Sequence, residues 1–121
     1  MNPGILVLDE PTSNLDPAGT KKIFQTIKGL NRDTGITVLL VEHEVELLAE
    51  YASRIIVLDH GHILLDGTPR EVFSNIETFH QIGIHIPQVT QVSENIKNNY
   101  GLWKEEPDPL TLSEMITLLN L

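Results

Sequence analysis

The feature that most constrains this chain is an apolar run, Ile-Leu-Val-Leu at residues 5–8, followed directly by Asp9, Glu10 and Pro11. A short continuous apolar run bounded by charged residues is typical of a strand buried on both faces, as in a parallel sheet. Proline lacks the backbone N–H that a sheet ladder needs, so the strand is predicted to stop there. The sequence therefore predicts a buried strand that places two adjacent carboxylates at its carboxyl end.

Helix and strand signals alternate after this first strand. Asp16 and Pro17 form a good helix start, because a carboxylate caps free N–H groups and proline suits the first helical position. Apolar residues at helical spacing then run toward Gly35, a typical helix stop, and residues 36–41 form a second apolar run. A strand, a helix and a strand in this order predict an α/β fold with a parallel sheet.

A short helix, a hairpin and another short helix are predicted next. The helix is expected from about residue 45, and the strands 55–58 and 63–65 flank a turn that contains glycine. The strand at 55–58 is expected to extend the parallel sheet, with its hairpin partner as an antiparallel edge. Residues 68–71, Thr-Pro-Arg-Glu, form a capping box that starts the second helix.

The character of the chain changes beyond about residue 84. Prolines interrupt two weaker amphipathic segments at 88–98 and 111–120, and the second begins with a capping box, Thr111 to Glu114. We therefore predict an α/β part over residues 1–83 and a C-terminal appendage over residues 84–121.

Composition excludes several classes of protein. The formal net charge of -9 disfavours non-specific attachment to nucleic acid or anionic lipid, because both partners are negatively charged. The absence of cysteine excludes disulfides, thiolate metal sites and a cysteine nucleophile. There is no secretory signal pattern and no apolar run of about 20 residues that could span a bilayer. A cytosolic protein is expected, with any membrane role exerted through a partner.

The polar residues at the strand ends favour phosphoryl-transfer chemistry. In open parallel sheets, ligands bind beyond the carboxyl ends of the strands, where Asp9, Glu10 and His43 would lie. Adjacent residues of a strand point to opposite faces, so one carboxylate can serve a Mg²⁺ ion and the other a water molecule. The alternative is that these residues merely end their strands and cap the following turns.

Three stretches of the sequence resemble one protein family. ILVLDEPTSNLDP resembles the Walker B motif and D-loop of ATP-binding cassette ATPases, and VLLVEHEVE resembles their switch-histidine segment. RIIVLDHGHILLDGTPREVF is similar to the hairpin and short helix that follow in that family. The resemblance covers about residues 1 to 75. It implies an α/β fold, a P-loop NTPase-like parallel sheet fragment with a C-terminal β-hairpin and a helical appendage.

The same resemblance implies roles at the predicted site, with ATP and Mg²⁺ as cofactors. Asp9 would hold Mg²⁺, mostly through water, and Glu10 would be the general base that polarises the attacking water. His43 would contact the γ-phosphate and link it to that water and to the opposite subunit. Taken without the resemblance, His43 is more simply interpreted as a polar residue at the end of a strand.

The segment after the carboxylate pair resembles the D-loop, which lies at the interface between two ATPase subunits. Asp16 would be the aspartate that communicates across this interface, and Ser13 and Asn14 would shape the loop. The third carboxylate would therefore belong to the neighbouring subunit's site.

The C-terminal segment narrows the resemblance. GIHIPQVTQVSENI and DPLTLSEMITLL are similar to the tail of energy-coupling factor ATPases, which drive uptake of vitamins or of cobalt and nickel ions. This implies a second ATPase subunit, in a homodimer or heterodimer, and a transmembrane coupling protein. The location implied is cytoplasmic, peripheral on the inner face of the membrane. VEHEVE departs from the commoner threonine-histidine-aspartate form of the switch segment.

Motifs that precede Walker B in this family do not occur in the sequence. There is no GxxxxGK[ST] phosphate loop and no LSGGQ signature. We therefore expect residues 1–83 to be the C-terminal half of a nucleotide-binding domain, and we expect the isolated chain neither to turn over ATP nor to cover its sheet edge. Two alternatives stay open, namely a non-transport ATPase of DNA repair or translation and a catalytically inactive half-domain.

Overall fold

The computed structural model describes residues 4–119 of the chain. Residues 1–3 of the predicted α/β part and residues 120–121 of the predicted appendage lie outside the described residues. The elements follow in the order β1 (Ile5–Asp9), α1 (Pro17–Thr34), β2 (Thr37–Val41), α2 (Val45–Tyr51), β3 (Ile55–Asp59), β4 (His62–Gly67), α3 (Pro69–Phe73), α4 (Ile76–Ile82), α5 (Gln88–Tyr100) and α6 (Leu112–Leu119).

Strands β1 and β2 pair in parallel, with α1 as the crossover between them. The Asp16 carboxylate accepts a hydrogen bond from the Gly19 N–H at 2.8 Å, which caps the first turn of α1. Gly35 ends the helix with φ of 70°, in the left-handed region that glycine enters without steric cost. The predicted start and stop of this helix are confirmed.

Two expectations about the sheet are wrong. Strand β3 pairs only with β4, so the described residues contain two separate two-stranded sheets. The first two strands are not buried on both faces, since Ile5 is 63% exposed and Val7 is 61% exposed. Along β1 and β2 the residues alternate between exposed and half-buried. Helix α1 packs against β2. A parallel sheet is buried on both faces only when further elements, usually helices, pack on the second face.

Strands β3 and β4 form the predicted antiparallel hairpin, in which Asp59 is paired with His62. The two residues of its turn, His60 and Gly61, both have positive φ, at 48° and 76°. Positive φ at both central positions is the geometry that best matches the twist of a two-residue hairpin.

An ion pair joins the base of the hairpin. Arg54 donates to both oxygens of the Asp66 carboxylate, at 2.8 and 2.7 Å. These hydrogen bonds and the arginine charge hold the pKa of Asp66 below its ordinary value. Any stability from this exposed pair is present above the ordinary carboxyl pKa and is lost as the pH falls through the lowered one.

The hydrophobic core lies between the hairpin, α3, α4 and the C-terminal segment. Its buried members include Phe73 and Phe79, whose rings stack with centroids 5.3 Å apart. Ile86 and Leu110 belong to the same cluster. Residues on both sides of the predicted boundary at 83–84 therefore share one core, and the division into two parts stays a prediction.

Polar contacts also attach the C-terminal segment. Arg70 of α3 donates to the Glu114 carboxylate at 2.8 Å and to the Asp108 carbonyl at 3.0 Å. The fully buried Thr90 hydroxyl donates to the Pro109 carbonyl at 2.5 Å. A buried hydroxyl with a partner avoids the cost of an unsatisfied polar group. Within residues 4–119, no helix is both long enough and apolar enough to cross a membrane.

Candidate functional site

The carboxyl ends of β1 and β2 lie side by side. Asp9 is the register partner of Val41, and the Glu10 N–H donates to the Val41 carbonyl at 2.8 Å. The residues that follow these two strands are therefore held next to each other. His43 Nδ1 lies 3.8 Å from Glu10 Oε1, so the register brings together two side chains that are 33 residues apart in sequence.

Both members of this pair are open to solvent. The side chain of Glu10 is 53% exposed and that of His43 is 72% exposed. An exposed carboxylate beside an imidazole can accept a proton from a water molecule or orient that water toward an electrophile. The separation of 3.8 Å is longer than a hydrogen bond. The two side chains are therefore adjacent without being bonded to each other, and each can reorient around a ligand.

Asp9 and Glu10 differ in backbone geometry. Asp9 is the last residue of β1, whereas Glu10 has φ of 44°, which is unusual for a residue other than glycine. Asp9 shares the open face of the strand with Val7, because alternate residues of a strand point the same way.

The loop from Glu10 to α1 is built from consecutive tight turns. The Ser13 N–H donates to the Glu10 carbonyl at 3.1 Å, and the Leu15 N–H donates to the Thr12 carbonyl at 3.2 Å. Asn14 adopts φ of 70°, a conformation that asparagine tolerates better than most residues. Ser13 and Asn14 are both exposed on this loop.

Asp16 lies at the end of the same loop, where its carboxylate caps α1. The remaining face of this exposed side chain is open to solvent. The structure therefore gives Asp16 a definite local function, and a role between subunits stays a prediction.

Glu42 was not predicted as a site residue, yet it connects the two strand ends. Its Oε1 accepts hydrogen bonds from the Thr12 hydroxyl at 2.6 Å and from the Thr12 N–H at 3.3 Å. Its Oε2 accepts one from the His43 N–H at 3.3 Å. Thr12 is 7% exposed. The one sequence signal for Glu42 was that a glutamate precedes His43, where the commoner form of the switch segment has threonine.

The donor chemistry of the strand ends is compatible with a Mg²⁺ ion that takes only one protein ligand from this part of the chain. Within the described part of the chain, no group of three or more His, Cys, Asp or Glu side chains could hold a metal ion. Asp9 offers an exposed carboxylate at the sheet edge. Mg²⁺ is commonly held by one or two carboxylates, waters and substrate phosphates, which this arrangement allows.

Comparison with known proteins gives close relatives. No protein-family model matches the chain. An energy-coupling factor transporter ATP-binding protein, EcfA1, of Caldanaerobacter subterraneus subsp. tengcongensis is 43% identical over 119 residues, covering 98% of this chain and 42% of that protein. A putative ABC transporter ATP-binding protein of Pyrococcus horikoshii is 43% identical over 120 residues, covering 99% of this chain and 41% of its own length.

Solved structures give the same relationship. CbiO1 from Clostridium perfringens, described as part of the ABC transporter complex CbiONQ, matches with a TM-score of 0.57 and 30% identity, covering 76% of this chain and 37% of that one. MJ1267, an ATP-binding cassette of an ABC transporter, matches with a TM-score of 0.58 and 26% identity, covering 70% and 34%. The chain spans about two fifths of the length of the Caldanaerobacter and Pyrococcus relatives.

Proposed function

Because this chain belongs to the ATP-binding cassette ATPases, with energy-coupling factor proteins among its relatives, we propose that it carries the water-activating part of an ATPase domain that drives solute uptake across a membrane. The observation that supports this most directly is the 3.8 Å approach of His43 to Glu10 at adjoining strand ends. A base and a phosphate-contacting group are needed side by side in such a site.

Each side chain has a separate part in the proposed mechanism. The Glu10 carboxylate accepts a hydrogen bond from the attacking water and takes up its proton as the water oxygen bonds to the γ-phosphorus. The bond from the γ-phosphorus to the bridging oxygen breaks in the same displacement, and ADP leaves with that electron pair. The His43 ring, the more exposed of the two, contacts the γ-phosphate and keeps the water between itself and Glu10. Asp9 would hold a magnesium ion through water. When bound, Mg²⁺ neutralises charge on the phosphoryl oxygens.

The proposed partners are a second ATPase subunit and a transmembrane coupling protein. The exposure of Ser13, Asn14 and Asp16 supports the first, since a loop that serves an opposite subunit has to be accessible. The description of CbiO1 as part of a transporter complex supports the second. The proposed location is cytoplasmic, at the inner face of the membrane.

Transport is favoured over DNA repair or translation by the relatives themselves. The EcfA1 proteins of Caldanaerobacter and Clostridium perfringens match over 98% of this chain, including the C-terminal segment beyond the shared catalytic motifs. An inactive half-domain is the other alternative, and it is separated from the proposal by experiment.

The proposal is tested by comparing this chain with a complete domain. The complete domain is made by placing the part of the Caldanaerobacter relative that precedes the matched region in front of this chain. The complete domain is expected to hydrolyse ATP in a phosphate-release assay, and the isolated chain is expected to show no turnover. Positioning and charge stabilisation supply most of the rate of phosphoryl transfer, and the isolated sequence has no phosphate loop.

Two results would contradict these expectations. One is Glu10-dependent hydrolysis by the purified isolated chain, which would show that the phosphate loop is dispensable. The other is a complete domain that binds ATP without hydrolysing it, which would favour the inactive half-domain.

A further inference from the structure

We propose that Glu42 is a positioning residue, which fixes the segment that carries Glu10 relative to the segment that carries His43. Its effect on turnover rests on the function proposed above, whereas its effect on the geometry of the strand ends does not. Within the described residues, the Glu42 carboxylate makes no hydrogen bond to the Glu10 or His43 side chain, and it acts through the backbone that presents them.

The hydrogen bonds of one carboxylate carry this inference. Glu42 accepts from the hydroxyl and N–H of Thr12, two residues after Glu10, and from the N–H of His43. One rigid planar group thus holds the loop that leaves β1 and the loop that leaves β2. The bond to the Thr12 hydroxyl is short, at 2.6 Å, as expected for a charged acceptor.

The strand ends need such an anchor. The Glu10 and His43 side chains are both more than half exposed, so packing does not fix them. Glu10 also adopts φ of 44°, a strained conformation that persists only where surrounding contacts impose it. Thr12 is the buried residue of this loop, and its hydroxyl and N–H are both directed at Glu42.

Holding the two strands together does not require Glu42. The ladder between β1 and β2 already pairs five residues of each strand, ending at Asp9 and Val41. The Glu42 contacts begin beyond that point. They therefore act on the two segments that carry the proposed catalytic groups rather than on the sheet.

Amide hydrogen exchange on the 121-residue chain tests the geometry without any activity. In Glu42→Ala, the Glu10 and Ser13 amides are expected to lose protection by about tenfold or more. The Glu10 N–H donates to the Val41 carbonyl where the strand pair ends, and the Ser13 N–H donates to the Glu10 carbonyl, so both report on this segment without bonding to Glu42. The Leu6 amide, further back in the ladder, is expected to keep its protection. Ladder bonds involve alternate residues of a parallel strand, and Gly4 and Glu10 on either side of Leu6 both bond to β2. Glu42→Gln, which retains an acceptor oxygen for Thr12, is expected to recover part of the loss.

Glu44→Ala is the matched control for exchange. Glu44 lies on the other side of His43, is exposed and makes no side-chain cap on α2. Removal of its carboxylate is expected to leave the Glu10 and Ser13 amides unchanged. Unaltered protection at Glu10 and Ser13 in Glu42→Ala would overturn the proposal, as would an equal loss in Glu44→Ala.

Kinetics of the complete domain separate positioning from simple support of the fold. Glu42→Ala is expected to lower kcat by roughly 10- to 100-fold with little change in KM for ATP, since small misplacements of reacting groups cost rates of this size. Thr12→Val, which removes the bonded hydroxyl alone, is expected to lower kcat in the same direction. Added to Glu10→Gln, Glu42→Ala is expected to cause no further loss.

An unchanged kcat per folded molecule in Glu42→Ala would overturn the proposal, as would an effect that multiplies with that of Glu10→Gln. A complete domain that is inactive before any substitution would contradict the proposed function instead, and amide exchange would then decide whether Glu42 anchors the strand ends.

Discussion

Replacing Glu10 with glutamine in the complete domain is expected to lower ATP turnover by about 100-fold or more, while ATP binding is retained. Glutamine preserves the shape of the side chain but cannot take up the proton of the attacking water. The side chain is half exposed, so the substitution disturbs little packing. Phosphate release measures turnover, and equilibrium binding of a fluorescent ATP analogue measures affinity.

Glu44→Gln is the matched control for this substitution. It removes the charge of another exposed carboxylate, one residue beyond His43, outside the proposed reacting groups. Its turnover is expected to stay close to that of the unaltered domain. If Glu10→Gln leaves turnover unchanged, or if both variants lose it equally, Glu10 is not the base.

Replacing Phe79 with alanine is expected to lower the free energy of unfolding by about 3–5 kcal/mol. Phe79 is 2% exposed and stacks on Phe73, so truncation removes buried apolar area and leaves a cavity in the core. Domains of this size are stable by only about 5–15 kcal/mol, so the loss is a large share of the total. Urea denaturation followed by circular dichroism measures the change.

Tyr100→Ala is the control for this prediction. Tyr100 is an aromatic residue at the end of α5 and is 76% exposed. Its truncation is expected to change the free energy of unfolding by no more than about 0.5 kcal/mol. Equal losses in the two variants would contradict the description of the core.

Local signals allowed the elements to be predicted from the sequence. Asp16 with Pro17 and Gly35 determine the two ends of α1 through hydrogen bonding and backbone geometry within a few residues. Gly61 likewise determines the hairpin turn through its own backbone geometry, with a φ of 76°. Such features are readable from sequence because the interacting groups are neighbours along the chain.

Burial and sheet partition were not predictable in this way. The apolar run at residues 5–8 looks the same whether its second face is covered or open, and in this structure Ile5 and Val7 are exposed. The pairing of β3 with β4 alone depends on the arrangement of elements distant in sequence. Apolar composition therefore predicted the strands but not what covers them.

The candidate site was only partly predictable for a related reason. Parallel strands place their carboxyl ends at one edge, so Glu10 and His43 were expected to meet, and their 3.8 Å separation follows from the register. The contact of Thr12 with Glu42 joins residues 30 positions apart through side chains. No spacing rule relates two such residues, and the contact emerged only from the structure.

The most direct test of the account is a double-mutant cycle of Glu10→Gln and His43→Ala, measured as ATP turnover by the complete domain. The central claim is that the ends of β1 and β2 form one water-activating site. Residues that act as a unit are non-additive, so the double variant is expected to lose about as much turnover as Glu10→Gln alone. Losses that multiply would show that the two side chains act independently and would contradict the account.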